Sequence, residues 1–276
     1  MEDLQSAWSL FASSWVSAWI LAPLLAIVGV AVVARGAIFQ GVATAQASTA
    51  AIATMLVLAQ SITWCGTPWA IAGASIFVAI STSVIALHGR SSEAMNGWLF
   101  LTASAATPLL LSYSPHGLAD VQRLITSSLI GASWSDAMVF SIILISVLFL
   151  LIRCGSHIRL VLLDREAATE MGLSVSRWQI IIGVTVGLVI GLGLRSAGLL
   201  FIAGCLLLPV LASIQCCRTT AAVTWCTPLL ALLSAILGTF LAHAYDLPLG
   251  QVVVALLALW CAGSWLVRCW HYAASR

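Results

Sequence analysis

Few residues of this chain can do chemistry, and the best of them lie beside apolar runs. Asp246, in GTFLAHAYDLPLG, is an acidic residue at the edge of hydrocarbon, where a carboxylate is costly and tends to be functional. His243 precedes it by three residues, within one helical turn. A carboxylate and an imidazole suit a passing divalent cation. The same Asp could instead cap the helix that begins at Pro248, and the two roles are compatible. His116, alone in a loop, reads as a solvated side chain before a ligand. No GxxxxGK[ST] loop occurs, so the chain cannot supply ATP chemistry itself. No HExxH, Ser-His pair or paired intramembrane carboxylates support an intramembrane enzyme. The eight Cys form no CxxC, and they read as small apolar fillers rather than a disulfide or zinc framework. Cys216 and Cys217 are adjacent, a poor geometry for chelating one ion.

The elements that must position these residues follow from composition. Of 276 residues, 62% are hydrophobic and 7% charged, against about 25% charged in a soluble domain. Such a chain cannot cover a water-exposed surface, so lipid must solvate most of it. A net charge of +2 without any basic run excludes nucleic acid as a partner. The apolar stretch before Arg35 is long and lacks a basic leader, so it reads as a retained span rather than a signal peptide. A bilayer core needs about 20 apolar helical residues per crossing. Nine segments qualify, with eight as the alternative count: about 15–34, 43–62, 69–87, 98–112, 134–152, 178–194, 197–213, 222–242 and 249–267. Solid apolar runs indicate helices, since barrel strands would alternate. The expected fold is therefore an all-α, polytopic transmembrane bundle forming a single domain over residues 1–276.

All basic residues are Arg, and their distribution orients the bundle. With the N-terminus outside and the C-terminus inside, Arg35, Arg90, Arg153, Arg159, Arg165, Arg177, Arg218, Arg268 and Arg276 are cytoplasmic. Only Arg123 and Arg195 are then outside, as the positive-inside rule prefers. Two loops are long. The outer one has Leu118, Val121, Leu124, Ile125 and Leu129 at helical spacing, which predicts an amphipathic helix. The inner one, Arg153–Arg177, contains a short charged helix. Asp164 can cap it, Glu166 lies in its favourable first turn, and Gly172 can end it in a left-handed conformation. Pro209 must kink its span. Gly183, Gly187, Gly191 and Gly193 permit close helix packing, with gating as the sharper alternative.

The stretch DREAATEMGLS, Asp164–Ser174, resembles the cytoplasmic coupling helix of ABC-importer permeases, and most closely of those that import zinc, manganese or iron. Asp164, Glu166, Ala167, Gly172 and Leu173 carry that likeness. Arg195–Ser213 resembles the same family through Gly198, Leu199, Leu200, Leu207 and Pro209. Gly238–Val254 does so through Asp246, Leu247, Pro248 and Gly250. FQGVATAQA, Phe39–Ala47, keeps the family's frame at Phe39, Gly41, Ala43 and Ala47 but departs from it elsewhere. Val42, Ala45 and Gln46 stand where the family has Asp, Ser and His. The resemblance implies a non-catalytic transport subunit of the bacterial cytoplasmic membrane, with no bound cofactor and a divalent metal as cargo. It implies three protein partners: an ABC ATPase, an extracytoplasmic metal-binding protein and a second permease. Asp164, Arg165, Glu166, Glu170 and Gly172 would engage the ATPase, with Glu166 and Glu170 on one helical face. Asp246, His243 and Gln46 would serve the metal, while Gly198 and Pro209 would serve gating. Gln46 offers only an amide oxygen, a weak ligand beside imidazole or carboxylate. The alternative is a fold-retaining subunit without metal ligands, acting as the structural half of a heterodimer or importing another solute.

Overall fold

The computed structural model describes residues 2–36, 38–88, 93–113 and 129–274. Among these every regular element is helical: α1 (Glu2–Ala34), α2 (Ile38–Leu58), α3 (Pro68–His88), α4 (Glu93–Leu111), α5 (Trp134–Leu163), α6 (Arg165–Glu170), α7 (Val175–Cys216), α8 (Thr220–Ala244) and α9 (Leu249–Ala274). Short 3-10 turns occupy Thr63–Gly66 and Leu129–Gly131. In hydrocarbon every backbone N–H and C=O must be satisfied within the segment, and the helix is the local way to do so. All but α6 are long and apolar enough to cross a bilayer, giving eight candidate spans among the described residues. The chain is a multi-pass membrane protein.

The lipid-facing side is plain along α5. Met138, Ile142, Ile145, Phe149 and Ile152 recur at helical spacing and are 65–70% exposed. A stripe of that size would be a liability in water and is the expected surface in lipid.

Several boundaries differ from the sequence expectation. The sixth and seventh spans are one 42-residue helix, α7, interrupted at Gly198 (φ 77, ψ 165). Arg195 and Ser196 interrupt the apolar run just before the break, yet the helix continues through them and resumes directly after Gly198 without a loop. At about 1.5 Å per residue the stretches before and after the break, 175–197 and 199–216, are about 34 and 27 Å long, each close to a bilayer core. The second span begins at Ile38 and ends at Leu58, several residues earlier than expected. The inner loop begins eleven residues later, at Asp164, because α5 continues to Leu163 and makes Arg153 and Arg159 helical. Buried Ile158 and Val161 extend the apolar face through that stretch. The amphipathic outer helix and His116 fall outside the described residues, except Leu129, which is buried in a 3-10 turn.

The chain forms two compact units. One comprises residues 1–30, 128–144 and 200–276, and the other residues 31–127 and 145–199. In the first, Leu21, Leu25, Phe201, Ile202, Leu206 and Leu257 are fully or almost fully buried. Its α1 and α7 approach closely, because a Cβ on Gly29 would overlap the Leu206 carbonyl. In the second, α2 packs against α3 and α4. A Cβ on Gly187 would lie 2.5 Å from the Ala79 oxygen, and one on Gly191 2.8 Å from Ile76 Cα. Ser75 Oγ also donates to the Gly191 carbonyl at 3.1 Å. These two glycines bring the α3 and α7 backbones together, as small residues do in membranes.

All eight cysteines are free. Cys65 and Cys205 are buried, as fillers should be, whereas Cys216, Cys226 and Cys269 are exposed, a position that costs a small apolar side chain nothing in lipid.

Candidate functional site

Three places gather the chemistry-bearing residues. The first is the turn between α5 and α7. Asp164 takes extended backbone angles (φ −141, ψ 100), and one side-chain oxygen, Oδ1, accepts the N–H groups of Glu166 and Ala167, each at 3.0 Å. This satisfies two otherwise orphaned donors and starts α6. Gly172 (φ 76) ends it: its N–H bonds the Thr169 carbonyl at 2.9 Å, and the Leu173 N–H bonds that of Ala168 at 3.0 Å. That pair of bonds is a Schellman turn, which needs a left-handed residue at its centre. Ala168 is fully buried and seats the helix, while Glu166 and Glu170 are exposed. Both ends of α6 are thus formed as the sequence implied.

Arg165 has an internal partner that the sequence did not suggest. Gln179, in the second turn of α7, is buried. With its amide turned to suit its neighbours, its oxygen accepts from Arg165 Nη2 at 2.8 Å, Arg165 Nε at 2.9 Å and Arg35 Nη2 at 3.0 Å. Burial, and secondly the Arg165 charge, push the Arg35 guanidinium down to about 10. It stays protonated at neutral pH, so two like charges meet at one neutral oxygen. The only sequence signal was a polar residue opening an apolar run, WQIII. His157 stacks on Trp178 nearby, with ring centroids 6.2 Å apart.

The second place is the turn between α8 and α9. His243 lies in the last turn of α8 and meets Trp15 edge-on, with centroids 5.9 Å apart. Asp246 is exposed with φ 50, and the Leu247 N–H reaches back to the Ala242 carbonyl at 3.0 Å. Asp246 is therefore the left-handed residue closing α8, a position usually given to Gly or Asn. The backbone of Asp246 thus ends the preceding helix. Both residues line a cleft of about 360 Å³, together with Ser14, Trp15 and Leu249. A carboxylate, an imidazole and an aromatic wall can hold a cation loosely. Among the described residues no three His, Cys, Asp or Glu side chains gather closely enough to hold a metal ion.

The third place is α2. Gln40, Thr44, Ser48 and Thr49 are buried with Gln46. Ser48 and Thr49 turn their hydroxyls back to the carbonyls of Thr44 and Ala45, at 2.9 and 3.0 Å. Gln46 Oε1 is buried without a hydrogen-bond partner among the described residues, as are Gln40 Oε1 and Ser83 Oγ. Gln40 Nε2 reaches the Ser83 carbonyl at 3.4 Å. Val42 is half-buried. The interior of α2 is thus polar and wholly neutral. Pro209 is buried within α7, and Gly198 carries its break.

Comparison with known proteins follows this geometry. The sequence profile of the ABC 3 transport family matches residues 8–267. Among solved structures, the fold is similar to a chain of PsaBC from Streptococcus pneumoniae, determined in complex with Fab. The TM-score is 0.76 at 16% identity, covering 95% of this chain and 94% of that one. It is also similar to a metal-chelate type ABC transporter in an inward-facing conformation. There the TM-score is 0.67 at 18% identity, over 92% of this chain and 86% of that one. No curated protein sequence matches significantly.

Proposed function

Starting from the chain's membership of the ABC 3 transport family, we propose that it is the membrane permease of an ATP-driven importer for zinc, manganese or iron. The observation that carries this reading is α6, a charged helix closed at both ends and seated between two long apolar helices. A permease must receive the movement of a separate ATPase through a rigid protrusion, and α6 has the form for it. Glu166 and Glu170 would meet basic residues of the ATPase. The break at Gly198 lets α7 supply two crossings, which the N-out, C-in orientation requires. In that orientation α6 faces the cytoplasm of a bacterial inner membrane.

Cargo would arrive from an extracytoplasmic metal-binding protein and pass His243 and Asp246. These two supply at most two protein ligands, so further donors must come from water, Gln46 or a second permease. A heterodimer in which a sister chain carries the Asp and His absent at Val42 and Gln46 meets that need. The second reading keeps the fold without metal transport, as a structural half or as an importer of another solute. The neutral interior of α2 favours it.

The complex, reconstituted in liposomes with its ATPase, should take up at least one of zinc, manganese and iron when given ATP, and Asp246→Ala should reduce that uptake. Hydrolysis of ATP without uptake of any of the three would leave the second reading standing.

A further inference from the structure

The Arg35, Gln179 and Arg165 junction joins three segments of one compact unit: the end of α1, the start of α7 and the first residue of α6. A six-residue helix has no stability of its own, so whatever grips α6 also decides where its displacements go. Asp164 and Gly172 close its ends and Ala168 seats it. The Arg165 fork reaches out of the turn to another helix.

Gln179 receives that fork with the same oxygen that holds Arg35. One neutral acceptor shared by two cations binds each less well than a carboxylate would. The two charges also repel across it. The two bonds from Arg165 nonetheless tie the start of α6 to α7, and the third ties α7 to Arg35. We propose that Gln179 is a positioning residue that carries displacement of α6 into the end of α1 and the start of α7. The inference rests on reading α6 as the segment that meets the ATPase.

The test needs no cargo. The complex with its ATPase is trapped with ATP and vanadate in nanodiscs, and backbone hydrogen exchange is followed by segment. In the unsubstituted protein trapping should change exchange at residues 166–170 and also at 31–35 and 175–182. In Gln179→Leu the change at 166–170 should remain, while that at 31–35 and 175–182 should fall by about tenfold. Gln179→Glu should restore it, since a carboxylate accepts from both guanidiniums. A merely structural role would instead loosen all three segments before trapping. Should Gln179→Leu fail to fold, Arg35→Gln removes the other guanidinium from the shared oxygen and should silence the response at 31–35 while 166–170 still respond. Equal propagation through Gln179→Leu or Arg35→Gln would overturn the proposal. No change at 166–170 in the unsubstituted complex would instead overturn the coupling role of α6 itself.

Discussion

The turns after α6 and α8 use the same backbone device for different ends. In each, a left-handed residue is followed by a leucine whose N–H bonds a carbonyl five residues back, at 3.0 Å. After α6 the left-handed residue is Gly172, which adopts φ 76 without a steric cost. After α8 it is Asp246 at φ 50, where a side chain is opposed by about 1–2 kcal/mol. The first turn is the economical solution and shapes a protrusion. The second retains a strained carboxylate beside His243 and Trp15, in a cleft.

The largest effect should come from Gly172→Val, because a β-branched residue cannot hold φ 76 without roughly 2 kcal/mol or more of strain. Exchange protection across 166–170 should vanish and ATP-linked uptake should collapse, while the rest of the fold persists. If protection survives, the turn does not define α6.

Next, Asp164→Ala removes an acceptor of two N–H groups and should cost about 1 kcal/mol, felt as faster exchange in α6. Asp164→Ser should recover most of it.

At the other turn the sign reverses. Asp246→Gly should stabilise the protein by about 1 kcal/mol in denaturant titrations, since glycine suits the left-handed angle, yet it should lower metal uptake. Asp246→Asn tolerates the angle and lacks the charge, so it should lower uptake at unchanged stability. Uptake unaffected by both would reduce Asp246 to a turn residue.

The smallest effect on stability should be that of His243→Phe. It keeps a ring edge-on to Trp15 and should stay within about 0.5 kcal/mol of the parent. Reduced uptake at that stability would identify the imidazole as a ligand.

Much of the fold was legible in the sequence because lipid imposes a simple rule: long apolar runs must be helices. Span positions therefore came within a few residues, except where polarity misled. Arg153 and Arg159 suggested a loop, but they are an exposed and a half-buried residue of a helix that stays buried through Ile158 and Val161. The sequence places a gap at 195–196, but the helix runs through it, and the one non-helical residue, Gly198, breaks α7 without a loop. The α6 turn was legible to the residue, since capping is local chemistry within ten positions of sequence. The junction at Gln179 was not, because Arg35, Arg165 and Gln179 are brought together only by folding.

The sequence alone thus determined that the chain spans a membrane many times, where a short charged helix interrupts the spans, and that Val42 and Gln46 bring neither carboxylate nor imidazole to α2. Tertiary structure decided that His243 and Asp246 share a cleft with Ser14 and Trp15, and that Arg165 grips Gln179. The reason is range. Hydrophobicity and capping act through neighbours along the chain, whereas a shared acceptor or cleft exists only once distant segments pack.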